Sequence, residues 1–356
     1  MRGDASADDS PATAPAGRAA VAADRFRRFA DSLAAGTVTC PLPGSGHTVE
    51  RFRTLAAVAR EDLSAARLAE GHLDAVAILD ELGGAPVRPG EYWAVWAAEP
   101  PGAGLTATRT ADGWVLDGLK RYCSGAHSCT HALVTATADD GRRLFAVRTG
   151  IPGAAPDGDG PEHGDRAGRS GCRPVPGTWQ AVGMGGSDSP DVRFTEVPAV
   201  EVGGVEAYLR RPGFDHGGVG VAACWYGGAE ALARVLFERA GGRADPLTDA
   251  HAGAVDLELH TAGTVLRRAA DEIDADPLDE GGGAALRALR VRAVVAQACA
   301  EVLDHVGRAT GAGPLCHDGR HAHQAADLAV YIRQHHAERD LAALGERVTR
   351  GTGADR

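Results

Sequence analysis

The chain has 356 residues, 44% of them apolar and 24% charged, an ordinary globular composition that excludes a largely disordered, collagen-like or disulfide-scaffold protein. A net charge of −11, with every arginine cluster interleaved with acids, argues against a nucleic-acid partner. No apolar run reaches the roughly 18 residues that a membrane span needs.

Residues 1–23 are Ala, Asp, Pro and Gly without the apolar stretch of a secretory signal, and read as a disordered leader. Residues 24–90 read as a short helical domain. Phe52, Leu55, Ala56, Ala59 and Leu63 recur at three- and four-residue spacing. A second stretch, Leu68 to Leu82, ends at Gly83 and Gly84, a C-cap signal, and Pro86 and Pro89 then stop any helix.

Residues 91–205 read as a β domain. Trp114 to Leu116 follows the turn signal Asp112-Gly113, and Ala132 to Thr135, Leu144 to Val147 and Val192 to Phe194 are further short apolar runs. Short strands separated by turns predict a small barrel or sandwich. Residues 150–178, rich in Gly, Pro and Asp, read as a mobile loop.

Residues 206–350 return to helical periodicity. Val219 to Ala240 is apolar nearly all round, as a buried helix is. Asp245-Pro246 is an N-cap with proline at the first helical position, and that helix stops at Pro277. Ala284 to Thr310 and His321 to Arg347 complete a predicted four-helix bundle. The fold class expected is therefore α+β, mostly α. Aromatics are only 5% of the chain, so Ala, Val and Leu must fill the core. Cys40, Cys123, Cys129, Cys172, Cys224, Cys299 and Cys316 form no CxxC pair and read as reduced thiols of a cytoplasmic protein. Lys120 is the only lysine.

Two stretches carry a specific resemblance. Ala98-Glu99-Pro100-Pro101-Gly102-Ala103-Gly104 is followed by Asp117-Gly118-Leu119-Lys120-Arg121-Tyr122-Cys123-Ser124-Gly125. Further on, Trp179-Gln180-Ala181-Val182-Gly183-Met184-Gly185-Gly186-Ser187-Asp188-Ser189 runs into Val192-Arg193-Phe194. In their order and spacing they resemble the acyl-CoA dehydrogenase superfamily, which writes T-E-P-G-A-G-S, N-G-x-K-x-W-I-T/S and W-x-x-x-G-M-R-G-S-x-S. Asp327 to Ile332 resembles the helix that leads into the family's catalytic loop.

The resemblance implies FAD held between the β domain and the bundle. Gly102 and Gly104 match the turn beside the flavin, Ala98 stands where the family has its Thr, Tyr122 where it has the Trp that packs on the flavin ring, and Ser124 where it has a hydroxyl on the flavin. It also implies a homodimer or homotetramer, and an oxidoreductase acting on a CH–CH bond next to the carbonyl of an acyl thioester or related small molecule.

The chain departs from the family at its base. The usual Glu lies about eight residues beyond the Asp of the last helix, where this chain has His335; the minority position falls on Gly217. Segment 239–253 lacks the Arg-x-x-Phe-Gly that reaches a neighbouring subunit's FAD. An imidazole of ordinary pKa, about 6.5, can act as a base near neutrality, so His335 is the candidate catalytic residue. Two alternatives follow. One is a two-component flavin monooxygenase on the same scaffold, fed reduced flavin by a reductase. The other is a non-catalytic relative used for binding or assembly. Cys316, His317, His321 and His323 are the one metal-like cluster in the sequence, but they lack the second ligand pair of a standard site; no metal is expected.

Overall fold

The computed structural model of the chain describes residues 15–102, 104–150, 171–243 and 245–351. Residues 1–14 of the leader read at 1–23, and 151–170 of the loop read at 150–178, lie outside the described residues; within that loop Cys172–Pro174 form a short strand. Residues 15–23 are helical: α1 spans Pro15–Ala34. Its buried stripe is thin, Ala22, Phe26 and Ala30 at four-residue spacing, which is why periodicity alone passes over its start. α2 (Thr48–Glu61) and α3 (Leu63–Glu81) are separated by the single extended residue Asp62. The Asp62 carboxylate accepts the Ala65 N–H at 2.9 Å and so caps α3.

Among the described residues seven strands follow: β1 (Trp93–Trp96), β2 (Gly104–Thr110), β3 (Gly113–Lys120), β4 (His131–Ala138), β5 (Gly141–Arg148), β6 (Cys172–Pro174) and β7 (Val192–Val202). β4, β2, β3, β7 and β5 pair in turn, and β5 pairs back to β4, which closes a barrel. β1 and β2 run parallel to β4, and the other pairs are antiparallel. The sheet is thus mixed. β1, β2 and β6 escape a strand reading because β1 shows no alternation, β2 is mostly exposed and β6 has three residues.

The C-terminal region is built on α5 (Pro212–Arg243), α6 (Pro246–Ala275) and α7 (Ala284–Thr310), after a short α4 (Ala207–Arg210). Asp245 caps α6 as its sequence implies, accepting from the N–H of Leu247 and Thr248. α5 approaches α2 so closely that a Cβ at Gly227 would collide with the Ala56 carbonyl, and one at Gly228 would lie 2.8 Å from Leu63. The expected fourth helix over 321–347 is broken. α8 (Ala312–His317) and α9 (Gly319–Tyr331) lead into a 3-10 turn at Ile332–Gln334, and α10 (Glu338–Gly351) starts afresh. Ala337 has φ +47°, which a continuous helix cannot contain. His335 therefore lies in a helix break, not on a helix.

One core fills the barrel around Trp96, Leu116, Phe145 and Phe194. A second lies among the helices around Trp225, Leu236, Val302 and Tyr331. α3 is wedged between them: Ala75, Ile78 and Leu79 pack on Trp93, Leu133 and Leu144 of the barrel, while Leu63, Ala66 and Leu73 join the helical core. This wedge decides which side chains face each other below.

Candidate functional site

The motif residues gather at one end of the barrel. β2 and β3 pair Gly104 with Leu119, which carries the turn 98–104 alongside the segment after Lys120. That turn is exposed, with Gly102 at φ +77° and open space where a Cβ would stand at 102 or 104. Gly102 therefore serves the backbone conformation. Glu99 in the same turn pairs with Arg142 at 2.8 Å and lies 3.9 Å from the buried Lys120 Nζ. Lys120 donates to the Thr135 carbonyl and hydroxyl at 2.8 and 2.7 Å. Burial lowers its pKa to about 8, against the pull of Glu99. The only lysine is thus a staple of the barrel.

β3 ends at Lys120, so Tyr122 and Ser124 do not alternate on a strand. Tyr122 sits in the left-handed region at φ +58°, which turns its ring outward, 54% exposed. Ser124 turns inward. The 187–190 segment zips onto this stretch, its carbonyls accepting from the N–H groups of Cys123, Gly125 and Ala126. The Ser187, Ser189 and Ser124 hydroxyls form a chain with two 2.9 Å steps, Ser189 donating to Ser124. Among the described residues nothing accepts the Ser124 hydroxyl proton, so the chain ends in a free donor beside an exposed aromatic ring. That leftover donor and ring are what an amphipathic, acceptor-bearing flat ligand requires. A flavin ring fits them.

The 182–187 segment is anchored from below. Met184 N–H donates to Asp327 Oδ1 at 2.6 Å, and Arg18 lies 3.6 Å from the same carboxylate. Burial raises the Asp327 pKa to about 6, against these two partners.

A second polar group lies where α3, α5, α7 and the 332–337 break meet. Arg292 on α7 donates from Nη1 to the Gly218 carbonyl at 2.9 Å and from Nη2 to the Gln334 carbonyl at 2.7 Å. Its guanidinium stacks over Trp225 at 4.8 Å. One side chain therefore holds the start of α5, next to Gly217, against the peptide before His335. The two base positions implied by the family are neighbours here. The His335 side chain is 9% exposed, with Nε2 4.0 Å from an Asp340 oxygen and without a hydrogen bond. Burial lowers its pKa, with Arg292 and His336 adding and Asp340 opposing, so the imidazole is neutral at neutral pH. A Cβ at Gly217 would lie 2.9 Å from Asp74 Oδ1. Asp74 itself stands 3.6 Å from Arg211. One turn earlier on α3, Glu70 pairs with Arg67 at 2.7 Å, and burial raises its pKa against that partner.

Ala98, Gly102, Gly104, Tyr122 and Ser124 are thus brought to one end of the barrel, where an added Cβ at either glycine would stand in open space. Among the described residues no hydrogen bond, ion pair or ring contact joins His335 to Tyr122 or Ser124. Asp74 and Arg292 are absent from the sequence reading. Their signal is the charge triplet Arg67, Glu70 and Asp74 at three- and four-residue spacing on α3, and Arg292 set between Val291 and Val295 of α7. Among the described residues, no three of Cys316, His317, His321 and His323 bring ligand atoms together. Among the described residues the cysteines form no disulfide, and no described helix is long and apolar enough to cross a membrane.

No protein-family model and no curated protein matches the chain. Solved structures do. FMN-bound TdsC from Paenibacillus sp. A11-2, described elsewhere as a dibenzothiophene monooxygenase, aligns with a TM-score of 0.71 at 17% identity over 94% of this chain and 96% of its own. The methanesulfinate monooxygenase MsuC from Pseudomonas fluorescens aligns at 0.67 and 18% identity, over 94% of each chain. A steroid ACAD variant aligns at 0.65 and 18%, over 95% of this chain and 98% of its own. Identities this low speak to architecture alone: the chain carries the acyl-CoA dehydrogenase fold.

Proposed function

We propose that this chain is a flavin-dependent oxidoreductase that works as an oxygenase with reduced flavin. His335 carries the reading. A dehydrogenase acting next to a carbonyl needs a base strong enough to take a proton from carbon. His335 is a weaker base than a free imidazole because burial and Arg292 disfavour its cation. A neutral imidazole with a bare Nε2 is suited to exchanging protons with oxygen atoms, where little basicity is needed. A bound flavin would supply the redox chemistry at its ring. Tyr122 would stack on that ring and Ser124 would donate to one of its acceptors. The missing Arg-x-x-Phe-Gly segment in 239–253 favours FMN over FAD. A small-molecule substrate, a reductase that delivers reduced flavin, and self-association through α5 to α7 belong to the same proposal.

Asp74 favours a second reading. Its carboxylate stands over Gly217, at the family's minority base position, and could take the proton in an acyl-thioester dehydrogenation.

One experiment separates the two. The purified protein is mixed with FMN, FAD and their photoreduced forms without oxygen, desalted, and then mixed with oxygen while the flavin spectrum is followed. The oxygenase reading expects reduced flavin to bind roughly tenfold or more tightly than oxidised flavin, about 1.4 kcal/mol, and His335→Ala to change the reoxidation course. Oxidised FAD that stays bound and is bleached anaerobically by an acyl-CoA, with Asp74→Asn abolishing the bleaching, would overturn it in favour of the dehydrogenase. Failure to bind any flavin would leave only the binding or assembly role.

A further inference from the structure

Far from the barrel motifs, α6 and α7 bring two histidines face to face. The Nδ1 atoms of His251 and His305 are 2.8 Å apart, with the rings at 63° and their centroids 5.1 Å apart. One turn before His305, Glu301 shares its face of α7. Glu301, Asp304 and His305 place ligand atoms within 4.8 Å of one another. Among the described residues Glu301 has no ion-pair or hydrogen-bond partner. Asp304 pairs with Arg308 at 2.8 Å, both side chains being more than half exposed, so it is exchangeable. We propose that His251, Glu301, Asp304 and His305 form a binding site for a divalent transition metal of the zinc class, which ties α6 to α7.

The geometry favours this. In a hydrogen bond between two Nδ1 atoms 2.8 Å apart, the accepting nitrogen offers a bare lone pair, as a metal ligand must. Tetrahedral Zn–N bonds of about 2.0–2.1 Å separate two ligand nitrogens by roughly 3.3 Å. Opening the pair by about half an ångström therefore lets a cation sit between the two Nδ1 atoms, the proton between them moving to the donor ring's Nε2 so that both rings bind as neutral imidazoles. The donor set of two imidazoles and two carboxylates suits Zn²⁺, with Co²⁺ as a spectroscopic substitute, and disfavours Mg²⁺ and Ca²⁺, which prefer all-oxygen shells. Arg308 opposes a cation here, and releasing Asp304 from it is the cost of four-fold ligation.

The test is titration of the full chain, stripped with chelator, by Zn²⁺ in a calorimeter and by Co²⁺ in a spectrophotometer. The expected result is one tight site per chain, a visible Co²⁺ band of tetrahedral intensity, and a rise in Tm with Zn²⁺. His305→Ala, His251→Ala and Glu301→Gln should each weaken the site tenfold or more and remove the Tm rise, whereas His317→Ala should leave it unchanged. A site that survives His251→Ala, or weak binding at several histidines with no Co²⁺ band, would overturn the proposal. Far-ultraviolet dichroism of each variant separates loss of ligation from loss of fold.

Discussion

The carboxylate of Asp74 stands over Gly217, so close that a Cβ at 217 would lie 2.9 Å from Oδ1. Glycine in a helix interior costs about 1 kcal/mol relative to alanine, so the position keeps an unfavourable residue to make room for a side chain from another helix. Gly217→Ala alone should be close to neutral, its helical gain offset by displacing Asp74 from Arg211. In an Asp74→Ala background the same change should stabilise by about 1 kcal/mol. Urea unfolding of the four proteins gives the coupling. A value under about 0.3 kcal/mol would mean that Asp74 moves aside freely and is not fixed over the start of α5.

Two buried groups oppose each other as pH falls. His72 accepts the Trp93 N–H at Nδ1, which only a neutral ring can do, and burial lowers its pKa to about 4. Its contribution is complete above the unfolded pKa of about 6.5 and is lost as pH falls toward 4, on the order of 3 kcal/mol. Asp327 runs the other way. With a folded pKa of about 6 and an unfolded one near 3.9, its stabilisation is complete below 3.9 and lost as pH rises through 6, again on the order of 3 kcal/mol. The natural chain should therefore show little slope from these two groups between pH 4 and 6. His72→Gln should become relatively more stable on acidification and Asp327→Asn relatively less. Parallel urea midpoints at pH 7 and 5 check this; equal slopes in all three proteins would refute it.

The sequence made the helices legible where caps and breakers agree with periodicity. Asp245-Pro246 opens α6 and Thr310 ends α7 before a glycine, where the reading placed them. It was silent where tertiary contacts decide. β1 becomes a strand because β4 pairs with it, and the last helix breaks where Asp340 accepts the His336 N–H and His335 is drawn inward. The candidate site followed the same division. Tyr122 and Ser124 are singled out by motif order, and they follow directly on the end of β3. The Arg292 bridge joins residues 218, 292 and 334, and no local pattern links positions so far apart.

Lys120 offers a clean probe of the barrel. Its amine has a pKa of about 8, so at pH 8 about half is in the reactive free-base form. Yet the side chain is 1% exposed and donates to Thr135 twice. Acetylating reagent at pH 8 should leave the Lys120 peptide unmodified in the native protein and modify it fully in urea, as read by mass spectrometry. Rapid native labelling would show that β3 and β4 open locally on the time scale of the reaction.

Tyr122 and Ser124 carry the last prediction. Tyr122 is outward on a left-handed backbone, so Tyr122→Ala removes ring area from the surface and should leave Tm nearly unchanged. Ser124→Ala deletes the terminal hydroxyl of the serine chain and leaves Ser189 to donate to Ser187 instead. If the flavin seat is here, each change should weaken flavin binding by about tenfold, near 1.4 kcal/mol, and Tyr122→Trp should preserve or tighten it by enlarging the stacking face. Quenching of flavin fluorescence measures all three. Dissociation constants within about twofold of the natural protein, about 0.4 kcal/mol, for both Tyr122→Ala and Ser124→Ala would place any flavin elsewhere, and the free Ser124 donor would then need another acceptor.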